Sequence, residues 1–165
     1  MESLWTPWRM AYILGEKPKG CILCLKPNED RDQDNYLLYR GRHCYVLMNL
    51  FPYNPGHLMI SPYTHTASLE LLDGPTTVEL AVLVKLSLEI LRNGINPQGF
   101  NVGANIGKAA GAGIDEHFHM HVVPRWQGDN NFMPVLSDTK LIPELLGQTY
   151  EKLLAAGIAD ETDPD

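Results

Sequence analysis

The sequence predicts an α+β fold: an antiparallel sheet of about five strands, one long helix and a C-terminal helix. Three observations carry this reading. Short apolar, strand-like segments come in pairs separated by turn residues. A single long window with helical periodicity lies between the pairs. The connections are rich in Gly, Pro and Asn, and no internal repeat or low-complexity tract interrupts them. A length of 165 residues fits one domain over 1–165, long enough to bury a core.

Each element follows in order. Residues 26–35 are polar and turn-rich and read as a loop. Tyr45 to Leu50 is apolar and strand-like, and Pro52-Tyr53-Asn54-Pro55-Gly56 makes a turn. His57 to Ser61 is the partner strand, stopped by Pro62. Thr76 and Glu79 have the spacing of a capping box after Asp73-Gly74-Pro75, so the long helix starts there. Its polar positions Glu79, Lys85, Glu89 and Arg92 fall on one side, and the remainder to Leu91 is mostly apolar. So narrow a polar stripe requires cover from the sheet and from a second element; Asn93-Gly94 ends the helix. Phe100 to Ile106 is a strand leading into a loop of small residues, 107–113. His117 to Val123 is a strand ending at Pro124. A final helix runs from about Ile142 to Ala155, before the acidic tail Asp160 to Asp165.

Composition excludes several functions. The net charge of −7 argues against coating a nucleic-acid duplex, which needs clustered Lys and Arg. It leaves a small anionic substrate open, since a few local donors hold a phosphate inside an acidic protein. No run approaches the roughly 18 apolar residues of a membrane span. Met1-Glu2-Ser3-Leu4-Trp5 has no basic region and no apolar run, so we expect no export signal and a cytoplasmic protein. The cysteines at 21, 24 and 44 read as cytosolic thiols, with a metal site possible at the close pair.

The chemistry points to residues 117–123. Side chains alternate along a strand, so His117, His119 and His121 share one face while Phe118, Met120 and Val122 take the core face. Three adjacent imidazoles would repel if all were protonated, so the arrangement requires some to be neutral and one to share a proton or a metal. Two chemistries suit it: a three-imidazole metal site that activates water, and covalent catalysis by a neutral imidazole attacking phosphorus. Gly107, Gly111 and Gly113 in the loop just upstream favour the second, because their backbone N–H groups can approach an anion closely.

His117-Phe118-His119-Met120-His121-Val122-Val123 resembles the signature of the histidine triad family, three histidines alternating with apolar residues. Asn49 and Pro55-Gly56-His57-Leu58-Met59-Ile60-Ser61-Pro62 resemble the family's upstream Asn and Pro-Gly-His strand. The likeness covers about residues 21–126. Trp5-Thr6-Pro7-Trp8-Arg9, the 49–54 segment and Pro124-Arg125-Trp126 look most like the diadenosine tetraphosphate phosphorylase-like branch, close to the fragile histidine triad hydrolases. The resemblance implies the histidine triad fold, a homodimer whose half-sheets join, and cleavage of dinucleoside polyphosphates through a nucleotidyl-histidine intermediate. It makes His119 the nucleophile, places His121 at the phosphate and leaving group, and has His57 support the cluster. Asn49 would hold the ribose; Asn105 with Gly107, Gly111 and Gly113 would hold the phosphates. No cofactor is needed for the chemistry, although a divalent cation can accompany the substrate. Where many relatives carry Gln and a hydroxyl residue before the triad, this chain has Gly111-Ala112-Gly113-Ile114-Asp115-Glu116. Phosphate contacts then fall to backbone N–H groups, and both water and phosphate stand as acceptors. A nucleoside phosphoramidase and a non-catalytic nucleotide-binding module are the alternatives.

Cys21-Ile22-Leu23-Cys24 has the spacing of a zinc half-site, which is also that of two ordinary thiols. Some histidine triad proteins complete such a pair with a His after the Pro-Gly-His strand and with the first triad His. By that resemblance Cys21, Cys24, His65 and His117 would hold a structural zinc, with His43 and Cys44 as rival ligands.

Overall fold

The computed structural model describes residues 20–129 and 144–157. The segments Trp5–Arg9 and 160–165, and the expected start of the last helix at Ile142, lie outside the described residues. Chain order begins with two one-turn helices, α1 (Ile22–Leu25) and α2 (Asp32–Asn35), with a 3₁₀ turn between them at Lys26–Asn28. Strands β1 (Leu37–Arg40), β2 (Cys44–Met48) and β3 (Leu58–Pro62) follow, then the long helix α3 (Gly74–Ile95). Strand β4 (Gly99–Gly103), strand β5 (Met120–Arg125) and helix α4 (Leu146–Ala156) complete the set. The sheet order is β1-β2-β3-β5-β4, and every neighbour pair is antiparallel, the five-stranded antiparallel sheet that the sequence predicts.

Two apolar clusters sandwich the sheet. Val46, Met48, Leu58, Ile60, Phe118 and Val122 meet Leu80, Leu83, Leu86, Ile90 and Leu91 of α3 and Tyr150 and Leu153 of α4. On the opposite face Tyr45, Leu47 and Met59 pack with Leu23 and Leu37. Burial on both sides explains why β2 and β3 read as near-continuous apolar runs. The second cover required by the narrow polar stripe of α3 is α4. Gly94 permits their close approach: a Cβ there would stand 2.9 Å from Leu153 Cδ2.

Several boundaries differ from expectation. Residues 26–35 are not plain loop, because their polar groups close short helical turns: Asn28 Nδ2 donates to the Cys24 carbonyl, and Arg40 donates to the Pro27 carbonyl and to both oxygens of Asp32. The N-cap of α3 is Asp73, whose carboxylate accepts from Thr76 N–H at 2.9 Å. Glu79 is therefore free of capping and instead accepts from the N–H groups of His43 (3.0 Å) and Cys44 (3.1 Å), tying the β1–β2 turn to the helix. The helix runs through Asn93-Gly94 and stops at Asn96, left-handed at φ 46, ahead of Pro97. The His strand begins at Met120, since Phe118 N–H donates to the Thr66 carbonyl rather than to a ladder. It continues through Pro124, which pairs with Phe100 and whose carbonyl accepts from Asn54 Nδ2 at 2.9 Å.

Candidate active site

Ladder register assembles the histidines. Met59 of β3 faces His121 of β5, so His57, two residues earlier on the same face, reaches the His121 ring. Gly56 makes the entry possible, adopting φ +76 where a Cβ would press Ile95 at 2.4 Å.

Hydrogen-bond partners fix the tautomers. The Tyr53 N–H donates to His57 Nδ1 at 3.1 Å, so the proton of His57 sits on Nε2. His57 Nε2 then donates to His121 Nδ1 at 2.9 Å, which puts the His121 proton on Nε2. Desolvation by burial, reinforced by neighbouring His119, pushes His121 down to about 4. It is thus neutral at pH 7, as an accepting Nδ1 requires. His119 Nδ1 donates to the His117 carbonyl at 2.8 Å, leaving Nε2 with its lone pair. The His119 and His121 rings meet edge to face at 4.8 Å, and Tyr53 lies 4.6 Å from His57 and 5.8 Å from His121. Chemically this is an imidazole whose Nδ1 is engaged by a carbonyl and whose Nε2 faces the other way, beside a neutral N–H donor.

Two cavities share Tyr53, Asn105 and His121 as a ridge. The larger, of about 520 Å³, reaches His119 and is walled by Ile22, Leu23, Leu47, Phe51, Met59 and Ile114. The smaller, of about 350 Å³, is bordered by Asn54, Asn101 and Arg125. Asn49, Asn105 and Gly113 line the larger cavity together with His119 and His121. Gly107 and Gly111 line neither: they shape a 3₁₀ turn in which Gly111 N–H donates to the Lys108 carbonyl. Asn49 contributes a turn as well, its Oδ1 accepting from Phe51 N–H at 2.9 Å.

Three residues with roles here were not singled out from sequence. Tyr53 stacks on the imidazoles and polarises one of them; its position four residues before His57, in a Pro-bounded turn, was the available signal. Asp129 accepts from Arg125 Nε at 2.7 Å, from Asn54 Nδ2 at 2.8 Å and from Trp126 N–H, and the guanidinium holds its carboxyl well below the usual range. Lys26, buried at the wall of the larger cavity, is pushed down by desolvation.

Cys21, Cys24, His65 and His117 converge, with one ligand atom from each lying within 4.8 Å of all the others. His117 Nε2 donates to the Pro62 carbonyl at 2.9 Å, which turns the lone pair of Nδ1 toward the cluster. That Nδ1 lies 3.3 Å from Cys21 Sγ, 3.4 Å from Cys24 Sγ and 3.3 Å from His65 Nδ1. A tetrahedral zinc with bonds of about 2.3 Å to sulfur and about 2.05 Å to nitrogen sets S···N near ~3.5 Å and N···N near ~3.3 Å. The donor set fits. His43 and Cys44 lie outside it; Cys44 is a fully buried core thiol, pushed up to about 12.

Comparison with known proteins agrees with this geometry. A family model for the HIT domain matches residues 30–128. The AP-4-A phosphorylase of Mycobacterium tuberculosis is 39% identical over 163 residues, spanning 94% of this chain and 83% of the relative. The bis(5'-adenosyl)-triphosphatase of Saccharomyces cerevisiae is 28% identical over 95 residues, 57% of this chain and 46% of the relative. A crystal structure of a Zn-bound histidine triad family protein from Mycobacterium smegmatis superposes with a TM-score of 0.66 at 27% identity, covering 82% of this chain and 91% of that one. Sequence signature, sheet order and relatives agree, and the chain belongs to the HIT, or histidine triad, family.

Proposed function

We propose that the chain cleaves dinucleoside polyphosphates, diadenosine tetraphosphate or triphosphate, through a nucleotidyl intermediate on His119. The observation that carries the proposal is the His119 Nδ1–H bond to the His117 carbonyl, which leaves Nε2 as the nucleophile of a residue that lines the larger cavity. The names of the M. tuberculosis and S. cerevisiae relatives support the substrate class.

The first nucleoside lies in the apolar cavity with Asn49 at its ribose, and its α-phosphorus meets His119 Nε2. A P–N bond forms and the P–O bond to the bridging oxygen breaks, so the remaining polyphosphate leaves with that electron pair. His121 Nε2–H donates to a phosphate oxygen as charge builds there. Asn105 and the N–H groups near Gly113 take the other oxygens. The leaving polyphosphate extends across the ridge into the polar cavity beside Asn101 and Arg125. The positive charge acquired by the His119 ring is held through Nδ1–H by the His117 carbonyl. Water or phosphate then attacks phosphorus and restores the imidazole. The name of the phosphorylase relative supports phosphate and that of the triphosphatase relative supports water, and the 111–116 loop, with neither Gln nor hydroxyl, leaves both acceptors open.

We read the Cys21, Cys24, His65 and His117 cluster as a structural zinc site, supported by its donor geometry and by the Zn-bound neighbour. We also read the chain as one domain over 1–165 that acts as a cytoplasmic homodimer. The free cysteines support the compartment, and the exposed outer edge of β4 supports joined half-sheets. No helix among the described residues is long and apolar enough to cross a membrane.

The test is incubation with diadenosine tetraphosphate, with and without inorganic phosphate, and chromatography of the products. AMP plus ATP assigns water as acceptor; ADP plus ATP that appears only with phosphate assigns phosphorolysis. Turnover of an adenosine phosphoramidate with none of any dinucleoside polyphosphate would overturn the substrate assignment.

A further inference from the structure

One peptide unit is bonded at both ends beside the nucleophile. The amide between His117 and Phe118 accepts His119 Nδ1–H at its carbonyl, 2.8 Å away, and donates its own N–H to the Thr66 carbonyl at 2.6 Å. A peptide unit is planar and stiff, so fixing its N–H also fixes the direction of its carbonyl. The β3–β5 ladder stops short of this unit: its outermost pair is Ile60 with Met120, and the Pro62 carbonyl beyond is taken by His117 Nε2. Thr66 therefore stands in for a ladder partner, yet it sits in an irregular stretch, 63–67, that is exposed or half-buried throughout. A member of the Cys21, Cys24, His65 and His117 quartet adjoins each end of this bond, His65 preceding Thr66 and His117 preceding Phe118. His65 Nδ1 stands 3.3 Å from His117 Nδ1 and 3.3 Å from Cys24 Sγ. Zinc bound there would turn these approaches into ligand bonds and close a ring of His65, the Thr66 carbonyl, Phe118 N–H and His117.

We infer that His65 is a positioning residue for the nucleophile: ligation at the quartet holds Thr66 against Phe118, and through that peptide unit it keeps the His117 carbonyl on His119 Nδ1. This rests on the readings above that the quartet binds zinc and that His119 attacks phosphorus. The quartet then does more than brace the segment around Cys21. With the Thr66 bond loosened, the peptide unit can tilt and His119 loses its acceptor. The ring is then free to carry its proton on Nε2, which leaves that nitrogen no lone pair for phosphorus.

Amide hydrogen exchange and the ¹⁵N ring shifts of His119 test this by NMR on the full chain, without substrate, at one fixed pH above the imidazole range. The zinc-loaded chain should protect the Phe118 amide and show His119 with its proton on Nδ1. Chelation should speed Phe118 exchange by about tenfold or more and bring in the Nε2–H form of His119. The Cys44 amide, held by Glu79, should change by about twofold or less. His65→Gln, which keeps three of the four ligands, should behave like the chelated chain, and His65→Cys, which restores a fourth ligand, should reverse the effect. An unchanged Phe118 amide or His119 tautomer in the metal-free chain, an equal rise at Phe118 and Cys44, or unfolding of both the chelated chain and His65→Gln would overturn the inference. Elemental analysis and turnover keep the readings apart. A chain that binds no zinc sinks the metal reading and this inference with it; a zinc-bound chain without the coupling sinks the inference alone. A chain that shows the coupling yet cleaves no dinucleoside polyphosphate sinks the proposed reaction and leaves the role of His65 standing.

Discussion

His57 Nε2 lies 2.9 Å from His121 Nδ1, and this bond decides which nitrogen of His121 carries its proton. Because His57 is itself set by the Tyr53 N–H, the relay ends in a His121 N–H on the open side of the ring. Replacing His57 with Ala frees His121 to adopt the other tautomer. Expected is a fall in kcat of about 10²-fold with little change in KM, since the donor acts mainly as charge builds. His57→Gln should recover part of the loss. Steady-state kinetics of both variants checks this; a rise in KM at unchanged kcat would contradict it.

The same ring makes stability depend on pH in one direction. The folded pKa of His121, about 4, lies below the unfolded value of 6.5, so between the two the unfolded chain binds more protons. Stability from this group is complete above pH 6.5 and is lost as pH falls toward 4, by on the order of 3 kcal/mol. Burial lowers His117 as well, in the same sense. Thermal melts from pH 8 to pH 4 should therefore show Tm dropping below pH 6.5, with a shallower drop in His121→Gln. Identical profiles for the two proteins would count against the assignment.

Metal content gives a third check. Protein purified without added metal should carry about one zinc per chain, bound by Cys21, Cys24, His65 and His117. Burial raises the Cys24 thiol when no cation is near, whereas zinc holds it as thiolate, so chelation should be more effective in mild acid. Elemental analysis reads the stoichiometry, and a melt after chelation should show a loss of Tm. Less than a tenth of an equivalent would contradict the site.

Glu79 offers a control remote from the chemistry. Its carboxylate receives the N–H groups of His43 and Cys44, and Gly41 passes so close that a Cβ there would clash with it. Glu79→Ala leaves these donors without their partner, at a cost of about 2 kcal/mol, or about 4–8 °C in Tm. kcat should be unchanged. Differential scanning calorimetry measures the first and a routine assay the second.

The sheet, the long helix and the histidine cluster were legible because each depends on a local period or a contiguous motif. Alternation in 117–123 places three imidazoles opposite Phe118 and Val122, and the structure keeps that division although His117 and His119 precede the strand proper. The convergence of Cys21, Cys24, His65 and His117 was legible only through resemblance, since 41 residues separate Cys24 from His65. Strand β1 was not assigned from sequence: Leu37–Arg40 is four residues long and half-polar, and its pairing with β2 is a tertiary fact. The capping box at Thr76 failed because Asp73 supplies an equally good oxygen three residues earlier and leaves Glu79 for the β1–β2 turn. The roles of Tyr53 and Asp129 depend on which loops meet, Asn54 reaching 75 residues along the chain to Asp129, and no local pattern encodes that.

The account rests on His119 as the nucleophile, and mass spectrometry of enzyme quenched during turnover of diadenosine tetraphosphate tests it most directly. One nucleotidyl group should appear on the wild-type chain and map to His119. His119→Ala should carry none and turn over at least about 10³-fold more slowly. An adduct on another residue, or substantial turnover by His119→Ala, would contradict it.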